Sequence, residues 1–241
     1  MIVNLNNGDD TSFDPTVLTA VRKTQEKGIS VLAYTYTGYG TRDPKIVNAK
    51  VKAAFDNYHV DGIFFDEAPT DCGEVNSYEQ NSLEYYRRLT DYARTFEGAT
   101  LTVLNPGTQA PTDCGWMSIA SIVVTFEDAT YATYRDTYID YPWMHVYGRE
   151  RFWHLVYAVS DATEMQKTLE LARQRRAGWV YVTNDGLDGN PWDNLPSYWA
   201  SEARAVTQCV NFAPSWHKSF SQCRGRGGDE THESGDEVRA E

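Results

Sequence analysis

The chain has 241 residues, enough for one α/β barrel in a single domain, and 41% of them are hydrophobic, which is enough for a sizeable buried core. The formal net charge of -12 disfavours binding to a phosphate backbone, so we expect no nucleic-acid partner. No apolar run reaches the roughly 18 residues of a membrane-spanning helix, so we also expect no membrane span.

Short β-branched and aromatic runs alternate with segments of helical period along most of the chain. These runs predict strands at residues 2–5, 29–36, 60–66, 100–104, 121–126, 152–158 and 179–183. Most of the runs are apolar throughout, as expected of parallel strands that are covered on both faces. Strands that alternate with helices form a parallel sheet, which is either doubly wound or closed into a barrel.

Helix start and stop signals lie between the predicted strands. Gly28 predicts a left-handed residue just after the first helix, and the segment 198–206 is typical of a last helix. Two Asp-Pro pairs, one Ser-x-x-Gln capping box and one further Asp predict helix starts. These start signals are Asp14-Pro15, Asp43-Pro44, Ser77 with Gln80, and Asp161.

The glycine pattern favours a barrel over a doubly wound fold. The first strand is followed by Asn6, Asn7 and Gly8, which lack the GxGxxG spacing of a dinucleotide-binding loop. Seven strands are one fewer than the usual eight. We therefore predict a TIM-type (β/α) barrel over residues 1–208 that lacks the first βα unit. An extension over 209–241 follows, and from about residue 224 its polar, glycine-rich composition predicts disorder.

Two predicted strands end in adjacent carboxylates. Residues 60–67 read VDGIFFDE and residues 121–128 read SIVVTFED. Because α/β barrels carry their active sites at the C-terminal strand ends, Asp66, Glu67 and Glu127 are the candidate catalytic residues. Adjacent strand residues point to opposite faces, so we expect one carboxylate of each pair to enter the barrel mouth. Asp66 or Asp128 could instead cap the following loop.

Other strand ends carry amide, hydroxyl and aromatic side chains, which bind sugar hydroxyls or stack on sugar rings. The predicted substrate-binding residues are Asn6, Asn7, Tyr34, Tyr36, Tyr39, Asn105, Tyr157, Thr183 and Asp185. The histidines show no HExxH or other paired spacing, so we predict neither a metal site nor a cofactor.

The four cysteines show no CxxC spacing. Cys72 and Cys114 both follow predicted strands on one face of the barrel. They could pair in an oxidising compartment, and two free buried thiols are the alternative. The first residues read as a strand rather than a charged segment followed by an apolar one, so no signal peptide is predicted in this chain.

These motifs together resemble the spherulation-specific family 4. The order and distance of YTGYGTR at 36–42 and DGIFFDE at 61–67 are fairly specific to that family, and the resemblance covers roughly residues 1–206. The matching segments are IVNLNNG at 2–8, VLAYTYTGYGTRD at 31–43, VDGIFFDE at 60–67, LNPG at 104–107, VVTFE at 123–127, FWHL at 152–155 and GWVYVT at 178–183.

The resemblance implies a TIM-type barrel whose relatives are secreted or surface-anchored glycoside hydrolases. It implies endo-acting cleavage of a polysaccharide containing α-1,4-linked N-acetylgalactosamine, with essential carboxylates at Asp66, Glu67 and Glu127. Members of the family begin with one more strand and helix ahead of the segment that starts here at Met1, which agrees with the count of seven strands. We expect a monomer that acts on a polysaccharide outside the cell or at its surface.

Three hypotheses remain open at this point. In the first, a glycosidase uses Glu127 as general acid and Asp66 as nucleophile or base, with Glu67 assisting, or with the acid and nucleophile roles exchanged. In the second, a non-catalytic carbohydrate-binding or spore-wall protein keeps the same cleft, although the intact carboxylates argue against it. In the third, Asp66 and Glu127 are oxygen ligands of a catalytic metal ion.

Overall fold

The computed structural model of the protein describes residues 1–5, 8–9, 11–73 and 81–210, with side chains up to residue 207. Seven parallel strands lie side by side in sequence order and curl into a half-barrel, which confirms the predicted TIM-type α/β fold. The strands are β1 (Ile2–Val3), β2 (Leu32–Tyr36), β3 (Gly62–Asp66), β4 (Leu101–Leu104), β5 (Ile122–Ala129), β6 (Phe152–Tyr157) and β7 (Trp179–Val182).

A helix follows every strand except β4, which is followed by a short 3-10 turn at Trp116–Ser118. The helices are α1 (Pro15–Gln25), α2 (Pro44–Tyr58), α3 (Ser82–Ala93), α4 (Tyr131–Thr137), α5 (Ala162–Gln174) and α6 (Trp199–Val210). The sequence signals did not predict α4, which is only two turns long and begins after Thr130, a residue with a φ of 61°.

Three of the predicted N-caps are confirmed. The side chains of Asp14, Asp43 and Asp161 each accept a hydrogen bond from a backbone N–H in the first turn of α1, α2 and α5. Each of these bonds satisfies a donor that has no partner inside the helix. Gly28 has a φ of 75°, the left-handed conformation that glycine adopts without a steric penalty, as predicted for the end of α1.

The start of α3 differs from the predicted capping box. Ser77 and Gln80 lie outside the described residues, and the helix begins at Ser82 with Asn81 as its N-cap. The Asn81 side chain accepts a hydrogen bond from the backbone N–H of Glu84 at 2.9 Å. At the other end of the chain, α6 continues to Val210, and the remainder of the predicted extension lies outside the described residues.

Successive residues of a strand point to opposite faces of the sheet and contribute to two different apolar layers. Phe64 of β3 belongs to an inner cluster with Leu32 and Val103 of the neighbouring strands. Its sequence neighbours Ile63 and Phe65 belong instead to the larger cluster between the sheet and the helices. This alternation is the period of two that a strand requires, and it aims Asp66 into the barrel with Phe64.

A disulfide joins the segments that follow β3 and β4. Cys72 and Cys114 are bonded to each other, and their Cα atoms are 5.0 Å apart. Of the two alternatives for these cysteines, the structure therefore contains the disulfide. In the described part of the chain, no helix has the length and apolar character needed to cross a membrane.

Candidate active site

Asp66, Asn105 and Glu127 form a hydrogen-bonded row at the C-terminal ends of three neighbouring strands. Asp66 ends β3, Asn105 follows β4 and Glu127 lies near the end of β5. The Asn105 amide nitrogen donates to Asp66 Oδ1 at 2.8 Å and to Glu127 Oε2 at 2.7 Å. Because both oxygens contact the same nitrogen, they cannot be farther apart than the sum of these distances, about 5.5 Å. The structure thus brings two of the predicted catalytic carboxylates together.

Burial and hydrogen bonds hold Asn105 in this position. Only 3% of its surface is exposed, and its backbone N–H donates to the Phe65 carbonyl at 2.9 Å. The backbone N–H of Gly107 donates to Asn105 Oδ1 at 3.0 Å. Since Oδ1 accepts from Gly107, the amide nitrogen faces the two carboxyl groups and donates one hydrogen bond to each.

Glu127 faces the barrel interior because of a β-bulge. The register of β5 against β6 skips a residue between Val124 and Phe126. As a result Phe126 packs outward in the cluster formed with the helices. Glu127 then pairs with Leu155, whose side chain belongs to the inner cluster. Without the bulge, strict alternation from Val124 would have directed Glu127 away from the barrel mouth.

The surroundings of Glu127 suit a general acid. Burial raises the pKa of its carboxyl to about 7, the hydrogen bond from Asn105 opposes this rise, and the nearby charges of Asp66 and Asp128 add to it. A carboxyl group with a pKa near 7 is substantially protonated in mildly acidic solution and can donate a proton to a leaving group.

Asp66 has donors on both of its oxygens. The Tyr34 hydroxyl donates to Oδ2 at 2.8 Å, and Asn105 donates to Oδ1. Burial and the Asp66 carboxylate raise the pKa of Tyr34 well above its usual value, so the phenol keeps the proton that it donates. Because each oxygen accepts a hydrogen bond from a different donor, the Asp66 side chain is fixed in position and suits a nucleophile.

Glu67 directly follows the last residue of β3, and its φ of 56° breaks the alternation of the strand. The expectation that only one carboxylate of this pair enters the barrel mouth stays a prediction. The backbone N–H of Gly38 donates to Glu67 Oε2 at 3.2 Å. Burial and the charge of Asp66 raise the pKa of Glu67. In the other pair, Asp128 lies opposite Val156, which packs outward.

Two of the predicted aromatic residues flank the carboxylates. Tyr39 is 56% exposed, and its backbone N–H donates to the Glu67 carbonyl at 2.7 Å. Tyr157 is half-buried and ends β6 on the far side of Glu127. Burial together with nearby carboxylates raises the pKa of both phenols, and Glu127 is among these carboxylates in each case.

The remaining predicted binding residues are engaged elsewhere or lie outside the description. Tyr36 donates its hydroxyl to Asp9 at 3.4 Å. Thr183 is fully buried, and its hydroxyl accepts from the backbone N–H of Asp185 at 3.1 Å, so it shapes the turn after β7. Asp185 is half-buried in the same turn. Asn6 and Asn7 lie outside the described residues.

One aromatic residue near the site was not predicted from the sequence. The ring of Trp192, in the loop after β7, lies 5.9 Å from the ring of Tyr157. The signal that could have identified it is a tryptophan in the turn-forming sequence GNPWDN at 189–194, because an apolar indole in a polar loop after a barrel strand points to a binding role.

The histidine in the sheet has a structural role. His154 is fully buried and shares a 2.6 Å hydrogen bond with the Tyr134 hydroxyl and one of 3.1 Å with Thr125. Burial lowers its pKa to about 3, so the ring stays neutral. Across the described ranges, no group of three or more His, Cys, Asp and Glu side chains is arranged to hold a metal ion.

A sheet of parallel strands curled into a half-barrel, with helices outside and carboxylates at the C-terminal rim, defines a TIM-barrel-like protein. The comparison with known families agrees with the resemblance noted in the sequence. The chain belongs to the spherulation-specific family 4, whose model matches residues 1–206.

Relatives of known sequence or structure are similar over most of the chain. Spherulin-4 of Physarum polycephalum is 28% identical over 213 residues, which cover 85% of this chain and 61% of that relative. The chain therefore spans less than two thirds of that relative's length. The crystal structure of Aspergillus clavatus Sph3 in complex with GalNAc superimposes with a TM-score of 0.66 at 23% identity and covers 84% of this chain and 83% of that one.

A more distant barrel shares the same architecture. Alpha-L-fucosidase isoenzyme 2 from Paenibacillus thiaminolyticus superimposes with a TM-score of 0.51 at 14% identity, covering 82% of this chain and 41% of that one. At such identities, structural likeness shows the common fold, and the chemistry has to be argued from the site itself.

Proposed function

We propose that this protein is a glycoside hydrolase that cuts within a polysaccharide containing α-1,4-linked N-acetylgalactosamine. The observation that carries the proposal is the Asn105 amide, which holds one oxygen of Asp66 and one oxygen of Glu127 within about 5.5 Å of each other. Two carboxyl groups at this spacing, one with a raised pKa and one held by donors on both oxygens, form the pair that glycosidic bond cleavage requires.

One oxygen of Asp66 lies no more than about 5.5 Å from one oxygen of Glu127, which favours a retaining mechanism, because the carboxyl groups of inverting enzymes lie roughly 6.5–9.5 Å apart. Glu127 donates its proton to the glycosidic oxygen as the leaving group departs, and Asp66 attacks the anomeric carbon to form a glycosyl ester. Glu127, now ionised, then removes a proton from the water that hydrolyses this ester. The Asp66 carboxylate and the Glu127 proton are both restored at the end of the cycle.

Glu67 assists this pair from the adjacent position. Its carboxylate accepts from the Gly38 N–H, and its backbone carbonyl accepts from the Tyr39 N–H, so it fixes the loop after β2 against the end of β3. Burial raises the pKa of Glu67, and the nearby charge of Asp66 adds to this rise, so the two carboxyl groups lie close together. Substitution of Glu67 would thus disturb both the position and the charge of the nucleophile.

The choice of sugar rests on the relatives. Aspergillus clavatus Sph3, which shares the fold, was solved with GalNAc bound. The net charge of -12 on this chain suits a polymer in which some residues are deacetylated and therefore cationic. The Cys72–Cys114 disulfide supports a place outside the cell or at its surface, where disulfides persist.

The test of this proposal is incubation of the protein with a partly deacetylated N-acetylgalactosamine polymer, followed by sizing of the products. Chain shortening by the wild type, lost in both Asp66→Asn and Glu127→Gln, is the expected result. The control is Asp91→Asn on α3, which changes an exposed carboxylate that pairs with Arg94 and should retain most activity. Binding of the polymer by the wild type with no shorter product would replace hydrolysis by a lectin-like role.

A further inference from the structure

The loop after β7 presents an indole ring to solvent at the rim of the half-barrel. Trp192 is 38% exposed, and its ring lies 5.9 Å from Tyr157 and 6.1 Å from Tyr181, in tilted or edge-on arrangements. The Asn190 side chain accepts from the backbone N–H of Trp192 at 3.0 Å, and the Tyr181 hydroxyl donates to the backbone carbonyl of Asn194 at 3.1 Å. The loop is therefore fastened to β7 while one part of the indole stays open.

This indole is connected to the carboxylate pair through Tyr157. Tyr157 lies two residues after Leu155 on β6, and Leu155 pairs directly with Glu127. Alternation along the strand places both β6 side chains on the inner face, so Tyr157 lies one step beyond Glu127 toward the rim. Burial raises the pKa of Tyr157, and the charges of Asp128 and then Glu127 add to this rise, which agrees with the proximity of Tyr157 to Glu127.

A second exposed ring lies on the opposite side of the pair. Tyr39, which follows β2, is 56% exposed. Burial raises the pKa of its phenol, and the charges of Glu67, Asp66 and Glu127 add to this rise. The strands lie in the order β1 to β7, Tyr39 follows β2 and Trp192 follows β7. The carboxylates at the ends of β3 and β5 therefore lie between these two aromatic residues. The aromatic rings thus extend the site in both directions from the reacting bond.

We infer that Trp192, supported by Tyr157, is a stacking subsite for a sugar ring of the polymer away from the scissile bond, an inference that rests on the proposed function. Indole and phenol rings stack on the apolar C–H faces of pyranose rings, and Tyr39 offers the same surface on the other side. A chain held at both sides of Asp66 and Glu127 is cut internally, so this subsite determines endo-acting cleavage and the affinity for long substrates.

The substitution that tests this subsite is Trp192→Leu, which keeps apolar bulk but removes the ring. Trp192→Phe, which keeps a ring, is the conservative variant. Trp179→Leu is the matched control, because Trp179 is also a tryptophan, is 40% exposed and begins β7 at the end opposite the rim. Thermal unfolding of each variant checks that the fold is retained.

The first measurement is hydrolysis of the long polymer. Trp192→Leu should raise KM by about tenfold or more with kcat changed much less, while Trp192→Phe and Trp179→Leu stay near the wild type. A KM for Trp192→Leu equal to that of Trp179→Leu would overturn the inference. A merely structural role for the indole would lower stability and kcat instead of raising KM alone, and that outcome would overturn it as well.

The second measurement is binding of the same polymer in the Glu127→Gln background, where no cleavage intervenes. Adding Trp192→Leu should weaken binding by about tenfold, and adding Trp179→Leu should not change it. This result would support the subsite even if the wild-type protein released no product, in which case only the proposed hydrolysis fails. Equal affinities in the two double variants would reject the subsite even if hydrolysis is observed.

Discussion

Asn105 and Asp66 lie at the C-terminal ends of neighbouring strands, and the Asn105 amide group that donates to Asp66 at 2.8 Å also donates to Glu127 at 2.7 Å. The same amide therefore sets the distance between the two carboxylates and influences the protonation of Glu127, because its hydrogen bond opposes the rise in the Glu127 pKa that burial causes. One neutral side chain thus links the geometry of the site to its pH dependence.

The pH profile of Asn105→Ala tests this link. In the wild type, kcat/KM should fall as pH rises through about 7, because Glu127 loses the proton that it donates. Loss of the Asn105 hydrogen bond raises the Glu127 pKa further, so the alkaline limb should move to higher pH while kcat falls roughly 10- to 100-fold. Asn57→Ala, on α2 away from the rim, is the control. An unmoved alkaline limb in Asn105→Ala would show that Glu127 is not the acid.

Glu127→Gln should increase stability as it removes activity. The folded-state pKa of Glu127 is raised from 4.5 to about 7, so the wild type loses stability as pH rises from 4.5 through 7. The glutamine variant does not ionise, and above pH 7 its free energy of unfolding should exceed that of the wild type by about 1–3 kcal/mol. Urea unfolding at pH 5 and pH 8 measures this difference, which should be largest at pH 8.

Glu202 provides the same stability test without a loss of activity. It is 2% exposed on α6, its Oε1 accepts from the Val182 N–H at 2.9 Å, and burial raises its pKa to about 7. Among the described residues, its Oε2 has no hydrogen-bond partner. Glu202→Gln keeps the acceptor and removes the charge, so stability at pH 8 should rise by about 1–3 kcal/mol with kcat unchanged.

The control for Glu202→Gln is Glu170→Gln on α5, whose carboxylate is half-exposed and pairs with Arg173. This control should change stability by less than about 0.5 kcal/mol at either pH. Equal stabilities of Glu202→Gln and the wild type at pH 8 would mean that Glu202 is ionised without cost in the folded protein.

Removal of the disulfide should destabilise the rim more than the sheet. Cys72 and Cys114 are 42 residues apart. In the loop-entropy model, a bond across this separation lowers the entropy of the unfolded chain and adds about 4 kcal/mol to the free energy of unfolding. The double variant Cys72→Ala with Cys114→Ala should unfold at lower temperature by several degrees and become more sensitive to proteolysis after β3. A melting temperature equal to that of the wild type, under oxidising conditions, would show that the bond is absent in solution.

The strands could be predicted from the sequence because their apolar runs are short, rich in β-branched residues and separated by recognisable helix signals. The β3 end is an example, since VDGIFFDE predicts both the strand and its terminal carboxylates. The helix starts at Asp14, Asp43 and Asp161 could also be predicted, because the hydrogen bond from a first-turn N–H to an Asp side chain is a local interaction.

The inward orientation of Glu127 could not be predicted, since it depends on a bulge that appears only when β5 is paired with β6. The backbone conformation of Glu67 could not be predicted either, because a φ of 56° at a non-glycine residue is fixed by its contacts with Gly38 and Tyr39 rather than by its own preference. The binding role assigned to Thr183 from its position alone ignored its burial, which depends on the packed turn after β7. Tertiary contacts decided all three.

The most direct test of the central claim is time-resolved proton NMR of the protein with an α-1,4-linked N-acetylgalactosamine oligosaccharide. We expect new reducing ends that first form in the α configuration, as a retaining carboxylate pair requires, and none with Asp66→Asn or Glu127→Gln. Reducing ends that first form in the β configuration, or that form at the wild-type rate in either variant, would contradict the assignment of Asp66 and Glu127.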